Sequence, residues 1–301
     1  MLNFRNFKFV DWMMFKPLNF LFKQIRNDVW LKSYVNRKPK ELQGFLEKTK
    51  SLKKANLIVV VAFEQPWALN WLLSMANKNI SDATVLVFDN SRNLLLREEI
   101  EAVCATNHVL YFSLPINNTR HVNRSHGMAM SWIFENVVKE IEPRTFAFVD
   151  HDLIPVSRID FASILGTQPF FGRLGGRDPS KYWSLWAGFC IFKYDFLKGK
   201  KINFLYDFSR GLDTGGRNWD SLYSHFDKNG IRFAGRTYKN FYFPGFEDGA
   251  SVEFIDDKWV HIGGVTYKQE MKSKLVFFEA FASRMEQFKD WEDFSKESCK
   301  S

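Results

Sequence analysis

The run Leu57-Ile58-Val59-Val60-Val61-Ala62-Phe63 is apolar throughout and rich in β-branched side chains. A strand with one wet face alternates apolar and polar residues. An unbroken run belongs to a strand covered on both faces, which is the habit of parallel sheets. Pro66 then opens a helix carrying Leu69, Leu72, Leu73 and Ala76. Thr84–Phe88 reads as a second strand, ended by the turn and capping chemistry of Asp89-Asn90-Ser91. A helix over Leu94–Thr106 and a short strand over Val109–Phe112 follow. The polar loop Pro115–Ser125 leads into a helix bearing Met128, Trp132, Ile133, Val137 and Ile141, which Pro143 closes before a fourth strand, Thr145–Val149. This alternation over residues 55–152 predicts a parallel sheet with crossover helices, a Rossmann-like half. Such sheets bind ligands beyond the carboxyl ends of their strands, and Asp89 and Asp150 both fall there.

Beyond Asp152 the pattern is less regular. Trp186–Phe192 reads as a strand, Gly211–Gly216 as a loop and Leu275–Phe288 as a closing amphipathic helix, with no internal repeat or low-complexity tract. The 301 residues, 46% apolar with 32 Phe, suffice for the core of one large α/β domain or two small ones. Cys104, Cys190 and Cys299 form no CxxC pair and no even set, which argues against a disulfide framework or a thiolate zinc site and fits a reducing compartment.

Charge is segregated. Residues 1–54 hold 13 Lys/Arg against 4 Asp/Glu, a balance of +9, so the other 247 residues sum to −1. Basicity therefore belongs to the N-terminal segment, and no nucleic-acid partner is expected. Within that segment Phe4, Phe7, Phe9, Trp12, Phe15, Phe20, Phe22 and Trp30 are interleaved with cations. Such a stretch fits either the interface of an anionic membrane or helices packed on the main domain with solvated lysines. Asp11 and Lys16 interrupt the first apolar run, and no stretch approaches the roughly 18 apolar residues of a spanning helix. The expectation is a cytoplasmic protein, peripheral on the membrane face at most.

Asp150 and Asp152, at i and i+2, follow directly on the buried strand Phe146-Ala147-Phe148-Val149. At a strand-to-loop turn both can converge on one point. Paired carboxylates suit a hard cation such as Mg2+ or Mn2+, which also binds phosphate oxygens. An ordinary Asp-rich turn is the bland alternative; position after a fourth α/β strand favours the metal.

Taken together, Leu57–Phe63, Asp89-Asn90-Ser91, the junction 123–130 and Phe148-Val149-Asp150-His151-Asp152 resemble the nucleotide-sugar half of GT-A fold glycosyltransferases, over roughly residues 55–270. The resemblance implies an α/β fold whose Rossmann-like half, with a mixed, mainly parallel sheet, merges with an acceptor-binding half. Residues 1–54 form a basic helical appendage and 55–301 the transferase domain, divided into 55–152 (donor half), 153–270 (acceptor half) and 271–301 (closing helix). By the same resemblance Asp150 and Asp152 bind the metal, His151 fills the variable middle position, and Asp89 contacts base or ribose. Ala62, Phe63 and Glu64 border the nucleotide, Arg124 and Gly127 contact the donor, and Trp186 and Gly188 shape its sugar pocket. His261, followed by Gly263-Gly264, resembles the late histidine that completes the metal site. His261, Gly264 and Lys268 match the H-x-x-G-x-x-K of a retaining subgroup with one extra residue before the lysine. Inverting members place a carboxylate base after the D-x-D region; Asp213, in a Gly-rich loop, is the first candidate, with Asp220 and Glu247 in reserve. Trp183, Trp186 and Trp219 are candidates to stack on sugar rings or to be core.

The reaction implied is hexosyl transfer from a UDP- or GDP-type sugar to a glycan or lipid-linked acceptor hydroxyl, inverting or retaining. The rivals are a metal-dependent phosphoesterase and a non-catalytic, membrane-peripheral nucleotide-sugar binder. A nucleotidyltransferase is disfavoured, because Phe63-Glu64-Gln65-Pro66-Trp67 lacks the Gly-rich signature that class places after its first strand.

Overall fold

The structure is a computed structural model describing residues 8–176, 179, 181–264 and 271–300. Strand β1 (Asn56–Ala62) is buried along its whole length, as its apolar run requires. There follow α4 (Pro66–Asn79), β2 (Thr84–Asp89), α5 (Leu94–Thr106), β3 (Leu110–Ser113), α6 (Val122–Ile133) and β4 (Thr145–Asp150). Helix α6 runs on through a π-helical stretch, Phe134–Val138, into a last turn, α7 (Lys139–Ile141). The alternation expected over 55–152 is present element for element. The chain continues with β5 (Leu153–Pro155), β6 (Phe170–Gly175), β7 (Ser184–Lys193), α8 (Tyr194–Leu197), β8 (Arg236–Phe243), β9 (Phe246–Ile255) and β10 (Trp259–His261). It closes with α9 (Met271–Met285), α10 (Trp291–Ser298) and β11 (Cys299–Lys300).

The main sheet has the order β3-β2-β1-β4-β7-β6. Its first four strands are parallel, and β7 runs antiparallel to both neighbours. This is the mixed, mainly parallel α/β sheet that was expected. Alternate residues of β1 serve two cores. Ile58, Val60 and Ala62 pack with Leu69, Leu72 and Leu73 of α4; Leu57, Val59 and Val61 pack with Met128, Trp132 and Ile133 of α6.

A second sheet, β11-β8-β9-β10-β5, was not anticipated. It joins the α4-side core, where Phe241 of β8 stacks on Phe294 and meets Phe281 edge-on, both on the closing helices. Residues 236–261 looked irregular in sequence because β8 begins with exposed and half-buried residues in alternation and buries firmly only near its end.

The N-terminal segment forms α1 (Phe9–Met14), α2 (Lys16–Val35) and α3 (Glu41–Thr49). One face of α2 is docked on the body. Tyr34 Oη donates to Pro115 O at 2.9 Å, and Trp132 Nε1 and Asn136 Nδ2 donate to Arg37 O and Val35 O at 2.8 and 3.0 Å. Among the described residues no helix is long and apolar enough to cross a membrane.

Helix α6 is pressed onto the loop after α8 at Gly127, where an added Cβ would lie 2.5 Å from Phe204 O. That obstacle is backbone and cannot rotate away. Gly127→Ala is therefore expected to destabilise the fold by about 1–3 kcal/mol, the usual range for overpacking, read as a lower urea midpoint at unchanged slope.

Candidate active site

Asp150 is the last residue of β4 and stands in register with Val61 of β1. One step later the chain leaves the main sheet: His151 and Asp152 make a turn, and β5 belongs to the second sheet. The acidic turn thus sits where the two sheets meet. β5 pairs with β10, placing Leu153 opposite His261, and β10 pairs with β9, placing His261 opposite Glu253. Strand register thereby aligns Glu253 and His261 with Asp152, which is far from both in sequence. Glu253 Oε2 lies 3.0 Å from His261 Nδ1, and His261 Nε2 lies 3.9 Å from Asp152 Oδ2.

Burial alone would raise Glu253, but hydrogen bonds from His261 and Arg236 outweigh it and hold the carboxyl down to about 2. Burial alone would lower His261; the Glu253 hydrogen bond and the Asp152 charge outweigh it and raise the imidazole. On the other side of the turn, His126 of α6 places Nε2 3.6 Å from Asp150 Oδ1. Burial pushes Asp150 above the usual carboxylate range, with His126 acting against it and Asp152 adding to it.

Gly188 of β7 completes this wall. A Cβ there would fall 2.4 Å from Asp150 Oδ2 and 2.3 Å from Trp186 Cζ2. The missing side chain is what lets carboxylate and indole occupy their places. Trp186 in turn meets the His261 ring at 4.9 Å and lies 4.8 Å beneath the Arg173 guanidinium. His126, Asp150, Asp152, Trp186, Gly188 and His261 line a cavity of about 270 Å³ that also receives Phe63, Asn90, Arg92, Asp213 and Gly264.

Several expected site residues are placed elsewhere. Asp89 is fully buried and does not line the cavity. Its Oδ1 accepts Ser91 N at 2.8 Å and its Oδ2 accepts Tyr111 Oη at 3.1 Å, and burial pushes it up. The carboxylate builds the turn, and the turn presents Asn90 and Arg92 instead. Ala62 is a buried strand end whose carbonyl accepts Asn90 N at 2.9 Å. Glu64 braces the same turn, receiving Arg92 N on Oε1 at 3.3 Å. Arg124 is buried away from the cavity, donating to Thr119 Oγ1 at 2.8 Å and Tyr206 Oη at 3.3 Å and lying 4.9 Å over the Trp30 ring. Gly127 is a packing glycine, as described above.

Asp213 reaches the cavity; Asp220 does not, being exposed and paired with Arg210 Nη2 at 3.0 Å. Glu247 caps its own turn, accepting Gly245 N at 2.8 Å. Trp183 is buried core and packs edge-on against Trp219, which leaves Trp186 as the indole of the three at the cavity. Lys268 lies outside the described residues.

His126, Asn90, Arg92 and Glu253 were not foreseen. For His126 a signal existed: it lies in the second turn of α6, the buried helix that must start beside the strand ends. Glu253 carried none, since its role depends on the register of an unpredicted sheet. Among the described residues no three His, Cys, Asp or Glu side chains converge as a ready-made coordination set.

Fold and cavity together define an α/β protein with an acidic, histidine-bearing pocket at the carboxyl edge of its parallel strands. No family model matches the chain, and no curated protein matches it in sequence. Solved structures match about half of it, among them enzymes of the GT-A glycosyltransferase class. S. aureus TarS aligns over 50% of this chain and 30% of its own at 16% identity and TM-score 0.36. The mannosyltransferase PcManGT from Pyrobaculum calidifontis, in complex with GDP-Man and Mn2+, aligns over 57% of each chain at 10% identity and TM-score 0.36. Glucosyl-3-phosphoglycerate synthase from Mycobacterium tuberculosis, in complex with Mn2+, UDP and glucosyl-3-phosphoglycerate, aligns over 54% of this chain and 64% of its own at 13% identity and TM-score 0.34. The matched stretch thus spans less than two thirds of each of these proteins.

Proposed function

We propose that the chain is a glycosyltransferase moving a hexosyl group from a UDP- or GDP-type sugar to the hydroxyl of a glycan or lipid-linked acceptor. A divalent cation, Mn2+ or Mg2+, would be held by Asp150, Asp152 and His261. The observation that carries this reading is that those three side chains line one cavity at the carboxyl edge of the sheet, where Glu253 fixes His261 by Nδ1 and leaves Nε2 towards Asp152.

The donor set suits the ion: two carboxylates and an imidazole, with a carboxylate behind the imidazole as in many metal sites. When bound, the cation supplies Lewis-acid neutralisation of the departing diphosphate. The chain's own groups do the rest. His151 Nε2, Asn90 Oδ1 and Arg92 Nε, all on cavity residues, are buried without a hydrogen-bond partner among the described residues. Polar atoms left so are destabilising, and a polar ligand that reorders them relieves the strain.

Asp213 has the geometry of a base. Its Oδ1 accepts from Asn123 Nδ2 and from Thr214 N, which fixes the carboxylate and leaves Oδ2 without a partner among the described residues. That oxygen is available to take the acceptor hydroxyl proton during in-line attack, so we assign inversion of the anomeric centre.

The test is a thermal-shift panel of nucleotide sugars with and without Mn2+. Stabilisation by one donor together with metal, absent in Asp152→Ala, is the expected result; at 100 times Kd it corresponds to about 2.7 kcal/mol. A protein that no nucleoside diphosphate stabilises under any metal condition removes the proposal. Phosphoester hydrolysis without an acceptor would favour the phosphoesterase instead.

A further inference from the structure

Helix α2 is apolar on two opposite faces. One is buried on the body through Asn27 and Tyr34. The other presents Leu21, Ile25 and Val29 at i, i+4 and i+8, with Phe22 beside them, each 51–61% exposed. Residues at that spacing form one stripe on a helix. Helix α1 extends the surface with Phe9, Val10 and Met14, 67–78% exposed. So much apolar surface on consecutive helices is unusual for a protein face that meets water alone.

Charge identifies what covers it. Lys16, Arg26 and Lys32 are exposed on the same helix, and none of the three has an ion-pair partner among the described residues, whereas Lys23 turns to the body and lies over the Phe208 ring. The acids of α1 and α2 are already engaged: Asp28 with Arg217 at 2.5 Å, and Asp11 with Lys8 N at 2.8 Å. Apolar side chains flanked by unpaired cations, in a segment (residues 1–54) whose balance is +9 against −1 for the rest of the chain, match an anionic lipid surface on both counts. A protein partner would need the same combination of acidic and apolar groups arranged along both helices.

We infer that the outer face of α1 and α2 docks on an anionic bilayer, with Phe9, Phe22, Ile25 and Val29 among the acyl chains and the cations at the headgroups. The surface is firmly tied to the body. Asn27 Nδ2 donates to Tyr206 Oη at 3.2 Å, Phe20 stacks on Phe208 at 6.0 Å, and Arg217 holds Asp28. These contacts fall on the loop that carries Asp213, so docking and the rim of the candidate active site are mechanically joined.

Co-sedimentation of the full chain with phosphatidylcholine vesicles, with and without one third phosphatidylglycerol, tests this. Binding to the anionic vesicles at least about tenfold tighter than to the neutral ones is expected, weakening by about tenfold or more at 1 M salt. The pair Phe22→Glu and Ile25→Glu should lose binding by at least about tenfold at an unchanged far-UV spectrum and melting temperature, because both side chains are already exposed. Lys16→Glu with Lys32→Glu should abolish the preference for the anionic vesicles. No partition into anionic vesicles overturns the inference. So does a wild-type dimer in sedimentation velocity that the Phe22→Glu, Ile25→Glu pair converts to monomer with no vesicle binding, which would make the face a contact between copies of the chain. Neither donor nor acceptor enters the assay, so its failure and the failure of the glycosyl-transfer reading are independent.

Discussion

Asp213→Asn is expected to lower transfer by about two to four orders of magnitude while donor binding persists, the range over which a positioned general base contributes. The substitution separates chemistry from structure. An amide oxygen can still accept from Asn123 Nδ2 and Thr214 N, the two contacts that fix the side chain now, so the loop keeps its form. What disappears is the basicity of the other terminal atom. Initial rates with saturating donor should therefore show a fall in kcat, and thermal shift with donor and Mn2+ should match the parent protein. Turnover at the parent rate would remove Asp213 from the mechanism and return weight to retention. A parallel loss of donor stabilisation would make it a structural residue of the pocket rim.

Much of this could be read from the chain, for identifiable reasons. The strands β1 and β4 are buried on both faces, so their sequences cannot alternate, and continuous runs such as 57–63 announce themselves. The acidic turn was legible because its place after the fourth strand is a matter of counting elements. The second sheet was not legible: β8 buries one side only, and β5 and β10 are 3 residues each. Glu253 and the approach of His261 to Asp152 follow from the pairing of those short strands, which local pattern does not encode. Asp89 shows the opposite failure. A carboxylate at a strand end looks like a ligand contact, yet its oxygens are taken by Ser91 N and Tyr111 Oη. Likewise Arg124 and Gly127 stood at the right helix, but helical register turned both into the body and left His126 facing Asp150.

Gly188→Ala is expected to remove donor-plus-metal stabilisation and to cut transfer by about 100-fold or more, with a much smaller effect on the stability of the free protein. The added methyl overlaps Asp150 Oδ2 at 2.4 Å and the Trp186 ring at 2.3 and 2.5 Å. Both obstacles are side-chain ends, so rotation relieves the overlap at modest cost to the fold. Gly127 differs in this respect, since its obstacle is the carbonyl of Phe204. The rotation is ruinous for function, because it withdraws a proposed metal ligand and the indole that meets His261 in one movement. Displacement of a positioned group by about 1 Å can cost about 100-fold in rate, and here two are displaced together. Melting curves with and without donor and Mn2+, set beside transfer rates, decide the matter. A variant that melts like the parent, binds no donor and turns over poorly supports the role assigned to Gly188. One that binds and transfers normally shows that the pocket does not depend on where Asp150 and Trp186 now stand, and the metal site would then have to be sought elsewhere.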